Sequence, residues 1–249
     1  MATKEMIQGV YNPLKTDKLI SVFLEEEGYI AKDLSGDEEI SQSFKLRKKI
    51  FCDELGWVKP LGNLEIDEFD TFSVPFGVFN NNRLEAYLRL IPTVHPFMLE
   101  KIFPMLIGPE HSLKKDMNTG EITRLCIEPD ARKSCLRNDF GAFGLSLFLY
   151  KSVYHWCLAN NVRYLYLVVE YKIFRLLNAQ GIICGKIGEP TVMPDGVKAV
   201  AAMIDWRNVE EVNARIRPRM NDWFTGYLSV SAQKPRLLPA ASKLHQAYV

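Results

Sequence analysis

The chain has 249 residues, of which 47% are hydrophobic and 24% charged, and its formal net charge is +1. That is enough apolar material for one sizeable domain, alone or with an appendage, and it leaves no global basic field for nucleic acid. The five cysteines are odd in number and none is spaced C-x-x-C, so they read as buried thiols in a reducing compartment, with neither a disulfide framework nor a zinc site.

The N-terminal stretch MATKEMIQGVYNPLK has no apolar signal core, and no run of about 18 apolar residues offers a membrane span, so the expected location is cytoplasmic. Residues 1–35 are mixed, with one apolar patch at Leu19–Leu24. From Glu38 to Leu55 the residues Ile40, Phe44, Ile50, Phe51 and Leu55 form a helical stripe, which Gly56 ends. Residues 63–72, NLEIDEFDTF, carry Glu65, Asp67, Glu68 and Asp70. An acidic run of this kind is ordinarily a solvated turn.

A hairpin follows, with strands Ser73–Phe79 and Leu84–Pro92 around the turn Asn80–Arg83. Met98–Leu106 predicts a short helix interrupted at Pro104, and residues 107–119 a polar loop. GEITRLCIEP, residues 120–129, predicts a strand, Phe140–Ala159 a long apolar helix, and residues 162–169 a buried strand. A helix over Tyr171–Ala179 stops at Gly181, and short strands fall near Ile182–Ile187 and Val197–Asp205. The alternation of strands and helices predicts an α/β or α+β fold, a sheet covered by helices. The composition changes near residue 210, so a domain over 1–209 is expected, followed by a C-terminal helix and irregular tail over 210–249.

Several short motifs then stand in a fixed order. Arg47, Phe51 and Trp57 lie on or just past the first helix, and Asp67 and Asp70 form D-x-x-D. RLIPT, residues 89–93, starts with Arg89 and leads to PFMLEKIFPML. Glu121 and Arg124 form E-x-x-R on the central strand. Each motif alone reads blandly, as a helix-face ion pair, a strand-edge charge or a boundary aromatic. Together, over residues 40–205, they resemble the acyl-homoserine lactone synthases, the LuxI-type autoinducer synthases.

The resemblance implies a fold related to the GCN5-type acetyltransferases (GNAT-like): a central mixed sheet flanked by helices in three α/β/α layers. It implies an enzyme of quorum sensing that joins S-adenosylmethionine to an acyl thioester, carried on acyl carrier protein or coenzyme A, and releases N-acyl-L-homoserine lactone and methylthioadenosine. Both molecules are substrates, and no prosthetic group or metal is expected.

Residue by residue, the resemblance implies that Arg47, Phe51, Trp57, Asp67, Asp70, Arg89 and Arg124 bind S-adenosylmethionine. One of Asp67 and Asp70 would hold the cationic substrate and the other brace an arginine, while Glu65 and Glu68 stay solvated. Trp57 offers a ring face to a cation, and guanidinium matches carboxylate bidentately. Glu121, with Arg124 beside it, is expected to be catalytic, as the general base that frees the α-amine. Backbone N–H groups near Leu125–Ile127 would hold the oxyanion. Phe103, Met105, Leu125, Phe143, Leu147, Leu167 and Val169, with Phe140 and Leu165, are the expected acyl lining. Val169 and Glu170 stand where some members carry a threonine associated with 3-oxo chains, which argues against that preference. Arg132, Lys133, Arg137, Lys151 and Arg175 could form a basic patch for an acidic carrier. Arg137, Gly141, Ala142 and Gly144 match the acetyltransferase pyrophosphate loop only inexactly.

Overall fold

The computed structural model describes residues 19–226. β1 (Phe23–Glu26) and β2 (Tyr29–Asp33) form a hairpin that the sequence did not predict. At four and five residues they are too short to show a clear alternation. α1 (Asp37–Arg47) places Asp37, Glu38 and Glu39 in its first turn and Lys45 and Arg47 in its last, the arrangement the helix dipole favours. It runs into a π-helical segment, Lys48–Glu54, and Gly56 at φ 65° turns the chain away.

β3 (Val74–Asn80) and β4 (Arg83–Pro92) are the predicted hairpin; Asn81 and Asn82 take φ 48° and 63°, as a two-residue primed turn requires. α2 (Met98–Lys101) is a single turn followed by a 3₁₀ turn, Pro104–Leu106. β5 is Thr119–Ile127. β6 (Cys135–Asn138) and β7 (Gly141–Gly144) make a separate ribbon, so the helix expected from Phe140 starts later, as α3 (Leu145–Ala159). Two glycines, Gly141 and Gly144, disfavour helix there. β8 (Tyr164–Glu170), α4 (Tyr171–Gln180), β9 (Cys184–Lys186), β10 (Thr191–Val192) and β11 (Lys198–Asp205) follow.

α5 (Trp206–Ile216) and α6 (Pro218–Thr225) complete the described chain. The boundary expected at 209/210 falls inside α5. Trp223 and Phe224 of α6 are buried in the main core, so this part of the C-terminal segment belongs to the same body. The irregular tail expected beyond it lies outside the described residues.

The large sheet runs β1-β2-β3-β4-β5-β8-β11-β10, with β9 paired to β11. Every pairing is antiparallel except that of β5 with β8. The parallel pairing ends at Ile122↔Leu167. β5 continues along β4 to Ile127, and β8 continues along β11 to Glu170. The two central strands therefore part, and a split opens between residues 123–127 and 168–170.

Helices cover both faces. On one, α3 packs Leu147, Phe148 and Val153 over Leu88, Leu90 and Ile122. On the other, α1 packs Leu46 and the π-helical segment packs Ile50 around Tyr87 and Cys126, and α2 packs Met98 and Leu99 with Ile91 and Tyr166. This is the three-layer mixed α/β arrangement of the acetyltransferase-like fold.

Candidate active site

Beside the split, on the face carrying α1 and α2, three arginines meet three carboxylates. The arginines come from three different elements: Arg47 ends α1, Arg89 lies in β4 and Arg124 in β5. The carboxylates Glu65, Asp67 and Asp70 come from one loop.

The D-x-x-D spacing has a local cause. Asp67 and Asp70 form a capping box on the 3₁₀ turn Glu68–Thr71. The Asp67 side chain accepts from the Phe69 N–H at 3.0 Å, and the Asp70 side chain accepts from the Asp67 N–H at 2.8 Å. This fixes both carboxylates toward the arginines.

Arg47 donates from Nη1 and Nη2 to the two Asp70 oxygens, at 2.5 and 3.0 Å, and from Nε to Glu65. Arg89 donates from Nη1 and Nη2 to Asp67 at 2.6 and 2.7 Å, from Nη1 to Asp70 at 2.6 Å, and from Nε to the Thr123 hydroxyl at 2.8 Å. Its Nη2 also faces the Met98 sulfur at 3.3 Å. Arg124 donates to Glu65 from Nε and Nη2, at 3.1 and 2.9 Å, and to Asp67 from Nη2 at 2.8 Å. Aromatic faces back the guanidiniums: Phe44 and Tyr87 under Arg47, Phe69 under Arg89, and Phe51 under Arg124.

Arg124 reaches this position through strand irregularity. Its φ is 59°, and the β4–β5 register shifts between Tyr87 and Arg89. The bulge lets Thr123 and Arg124 serve the same side, where regular alternation would send one of them to the α3 face. Backbone strain of this sort in a non-glycine residue collects at functional sites.

The charges hold one another ionised. Burial works against Asp67, but the Arg89 hydrogen bonds and the charges of Arg89, Arg124 and Arg47 hold its pKa below the ordinary aspartate value. Burial works against protonated Arg47 and Arg89 too; Asp70 and the Tyr87 environment reverse that for Arg47, and Asp67 and Asp70 for Arg89, leaving both raised.

Two features set the corner of the cluster that faces outward. Arg47 and Arg89 are fully buried, but Arg124 keeps 13% of its side chain exposed and Asp67 keeps 21%. Among the described residues Arg124 Nη1 has only the Met98 sulfur opposite it, at 3.8 Å. Next to this corner Phe51 meets Trp57 with ring centroids 6.2 Å apart, and Trp57 is 39% exposed. Phe51 itself is buried and backs Arg124.

Glu121 lies on the same face, fully buried. Its two oxygens accept from the Met98 and Leu99 N–H groups, at 2.5 and 2.8 Å. Burial raises its pKa to about 7 against the pull of those two hydrogen bonds.

The sequence reading missed Glu65, which was expected to be solvated. It is buried and bridges Arg47 to Arg124. The available signal was its i, i+2 spacing to Asp67, which in extended chain puts both side chains on one side. Glu68 does face solvent and meets Lys101. Asp67 and Asp70 both brace arginines, and of the two Asp67 is the more exposed.

The expected acyl lining is divided. Leu125 and Val169 are half-buried at the split, and Leu147, Leu165 and Leu167 are buried beneath it on the α3 face. Phe143 is buried with its ring stacked on Trp223 at 3.9 Å. Phe103 packs with the α2 cluster on the opposite face, Met105 is 60% exposed, and Phe140 is exposed. The turn at Pro104 carries Phe103 and Met105 away from the rest.

The basic patch is also reduced. Lys151 is 1% exposed and is held beside Glu26 and the Trp223 ring, while Arg132 pairs with Glu54. Among the described residues no group of His, Cys, Asp and Glu could hold a metal, and no helix is long and apolar enough to cross a membrane.

Comparison with known proteins extends the likeness beyond motifs. The autoinducer synthase family pattern matches residues 32–214. A probable acyl-homoserine-lactone synthase of Sinorhizobium fredii is 30% identical over 149 residues, 59% of this chain and 70% of that protein. The acyl-homoserine-lactone synthase of Aliivibrio fischeri is 26% identical over 158 residues, 62% of this chain and 79% of that protein. Among solved structures, BjaI, a CoA-dependent acyl-homoserine lactone synthase crystallised with MTA, superposes with a TM-score of 0.66 at 23% identity, covering 85% of this chain and 93% of BjaI.

Proposed function

The chain belongs to the autoinducer synthase family, and from that premise we propose that it makes N-acyl-L-homoserine lactone from S-adenosylmethionine and an acyl thioester, releasing methylthioadenosine, as a step of quorum sensing. The observation that carries the reading is the outward corner of the charge cluster. It offers one guanidinium edge, Arg124 Nη1, and one partly exposed carboxylate, Asp67. An α-amino acid head brings a carboxylate for the first and an ammonium for the second. Trp57 lies beside this corner and presents an exposed ring to the sulfonium or adenine.

The thioester approaches through the split between β5 and β8, with its acyl chain against Leu125, Leu147, Leu167 and Val169. The β5 backbone past Ile122 has left β8, so N–H groups there are available to a developing oxyanion. The α-amine, with an ordinary pKa of about 8, attacks in its neutral form. The C–N bond forms, and the C–S bond of the thioester breaks with its electron pair leaving on sulfur. One nitrogen proton goes to that sulfur and one to solvent. The carboxylate then attacks its own γ-carbon. An O–C bond forms, and the C–S bond breaks onto the sulfonium, which becomes a neutral thioether. Positioning of the chain is the main requirement of this second step.

The donor is acyl-CoA or acyl carrier protein. Lys133, Arg137 and Arg175 are the exposed basic side chains that remain for an acidic carrier.

The test is turnover by the purified chain with S-adenosylmethionine and a panel of both donor classes, read by mass spectrometry for the homoserine lactone fragment and by equimolar methylthioadenosine. Lactone with either class supports the reading. No lactone with either, and no rise in Tm on adding S-adenosylmethionine, overturns it.

A further inference from the structure

Glu121 and Met98 stand between the charge cluster and the turn of α2, and their contacts join into one chain. Glu121 holds the Met98 and Leu99 N–H groups. The Met98 sulfur, fixed by that backbone, faces Arg89 Nη2 at 3.3 Å and Arg124 Nη1 at 3.8 Å. Met98 is itself buried. The Nη1 edge it faces is the one the proposed function gives to the substrate carboxylate.

We propose that Glu121 is a positioning residue, acting through Met98 to set the substrate-facing edge of Arg124, and does not take the proton of the amine. The proposal rests on the lactone-synthase reading and departs from the general-base role expected of Glu121.

Three observations carry it. Both carboxylate oxygens are already engaged by backbone N–H groups, and the side chain is fully buried. The two N–H groups belong to the first turn of α2, where helical hydrogen bonding leaves donors unmet, so Glu121 supplies what the turn lacks. Phe97, just before, gives its N–H to Glu100 at 2.7 Å, so neighbouring donors of this turn are met by carboxylates in the same manner. Meanwhile the free amine, with an ordinary pKa of about 8, is roughly a quarter neutral at about pH 7.5, so a neutral fraction exists before any residue acts as base. A thioether is a weak acceptor, so it holds Arg124 in place yet gives way to a carboxylate.

The experiment compares Glu121→Gln, Met98→Leu and the double variant with the wild type. S-adenosylmethionine affinity is read by calorimetry, and kcat and KM by lactone formation across pH 6–9. Leucine keeps the apolar volume of Met98 and removes its acceptor. The expected result is that each single variant raises KM and Kd for S-adenosylmethionine about 5- to 20-fold, with kcat within about 10-fold. The double variant is then no worse than the worse single one, because both act on one contact. The acid limb of the wild-type pH profile persists in Glu121→Gln. Around Glu121 the other ionisable groups are Arg89, Glu100 and Tyr166, and all remain in that variant.

A loss of kcat beyond about 100-fold in Glu121→Gln, with Kd unchanged and the acid limb gone, is the signature of a lost base and overturns the proposal. So do additive effects in the double variant. Should Glu121→Gln not fold, Met98→Leu decides alone: unchanged S-adenosylmethionine affinity there overturns the proposal. Wild-type lactone formation in the same assay is the separate control for the parent reading.

Discussion

Glu121→Gln should alter how stability depends on pH, by an amount the buried site sets. Burial raises Glu121 from its ordinary 4.5 to about 7. The folded protein therefore binds this proton more tightly than the unfolded chain. The stabilisation is fully present below about 4.5 and is lost as pH rises to about 7. Since one unit is 1.36 kcal/mol, the loss is about 3 kcal/mol for this fully buried group. His155 runs the other way. Burial, first, and the charge of Lys151 lower it from 6.5 to about 4, so its contribution is present above about 6.5 and lost as pH falls. Between about pH 4.5 and 6.5 the two nearly cancel, and these terms leave the wild type almost flat. Glu121→Gln removes one of them, and the variant should gain stability with pH at about 1.4 kcal/mol per unit across that window. Asp67 and Lys151 do not enter, because their shifts act below and above this range. Urea unfolding of both proteins at half-unit steps from pH 4.5 to 7.5 measures the difference directly. A stability difference that stays constant within about 0.5 kcal/mol over that range would refute the account of the buried carboxylate.

Two further outcomes follow from the site. Glu65→Gln removes the charge that joins Arg47 to Arg124 and leaves three guanidiniums, two of them fully buried, facing two carboxylates; unfolding free energy should fall by about 3 kcal/mol, with weaker S-adenosylmethionine binding. A loss under 1 kcal/mol in urea titration would contradict the bridging role. Val169→Phe narrows the split on its β8 side and should move acyl preference toward shorter chains while leaving S-adenosylmethionine affinity unchanged, as competition between donors of two lengths would show; no change in preference would place the acyl chain elsewhere.

Where the sequence carried strong local signals, it was read correctly. The Asn-Asn turn between β3 and β4 and the glycine stop after α4 depend on backbone preferences within a few residues. The clustering of Arg47, Asp67, Asp70, Arg89 and Arg124 was legible for another reason: they stand in a motif order, and the fold brings them together as one candidate site. Glu65 was missed because its partners are 18 and 59 residues away, and its i, i+2 spacing to Asp67 is a weak mark of burial by itself. The acyl lining was read as one set because apolar residues look alike in sequence. Which face each covers depends on the Pro104 turn and on the pleat of β8. The helix expected from Phe140 overlaps β7 because Phe140, Ala142 and Phe143 continue its apolar run. A change in composition near residue 210 likewise does not interrupt α5.

The balance of charge in the cluster bears on turnover as well as binding. Three guanidiniums face three carboxylates, so the site is neutral before substrate arrives. An amino-acid head adds one charge of each sign and can join the pattern without leaving either unpaired, which a lone anion or cation could not do. On the proposed reaction those charges then disappear in sequence. Acylation removes the ammonium, and lactone closure removes the carboxylate and the sulfonium together. Neither product carries a charged group for Arg124 or Asp67. On this reading the charge pairs proposed for the amino-acid head are absent from lactone and methylthioadenosine, and the corner closes again on its own ion pairs and on the Met98 sulfur. A site built from internally satisfied charges therefore loses its hold on the amino-acid portion once both head charges are spent.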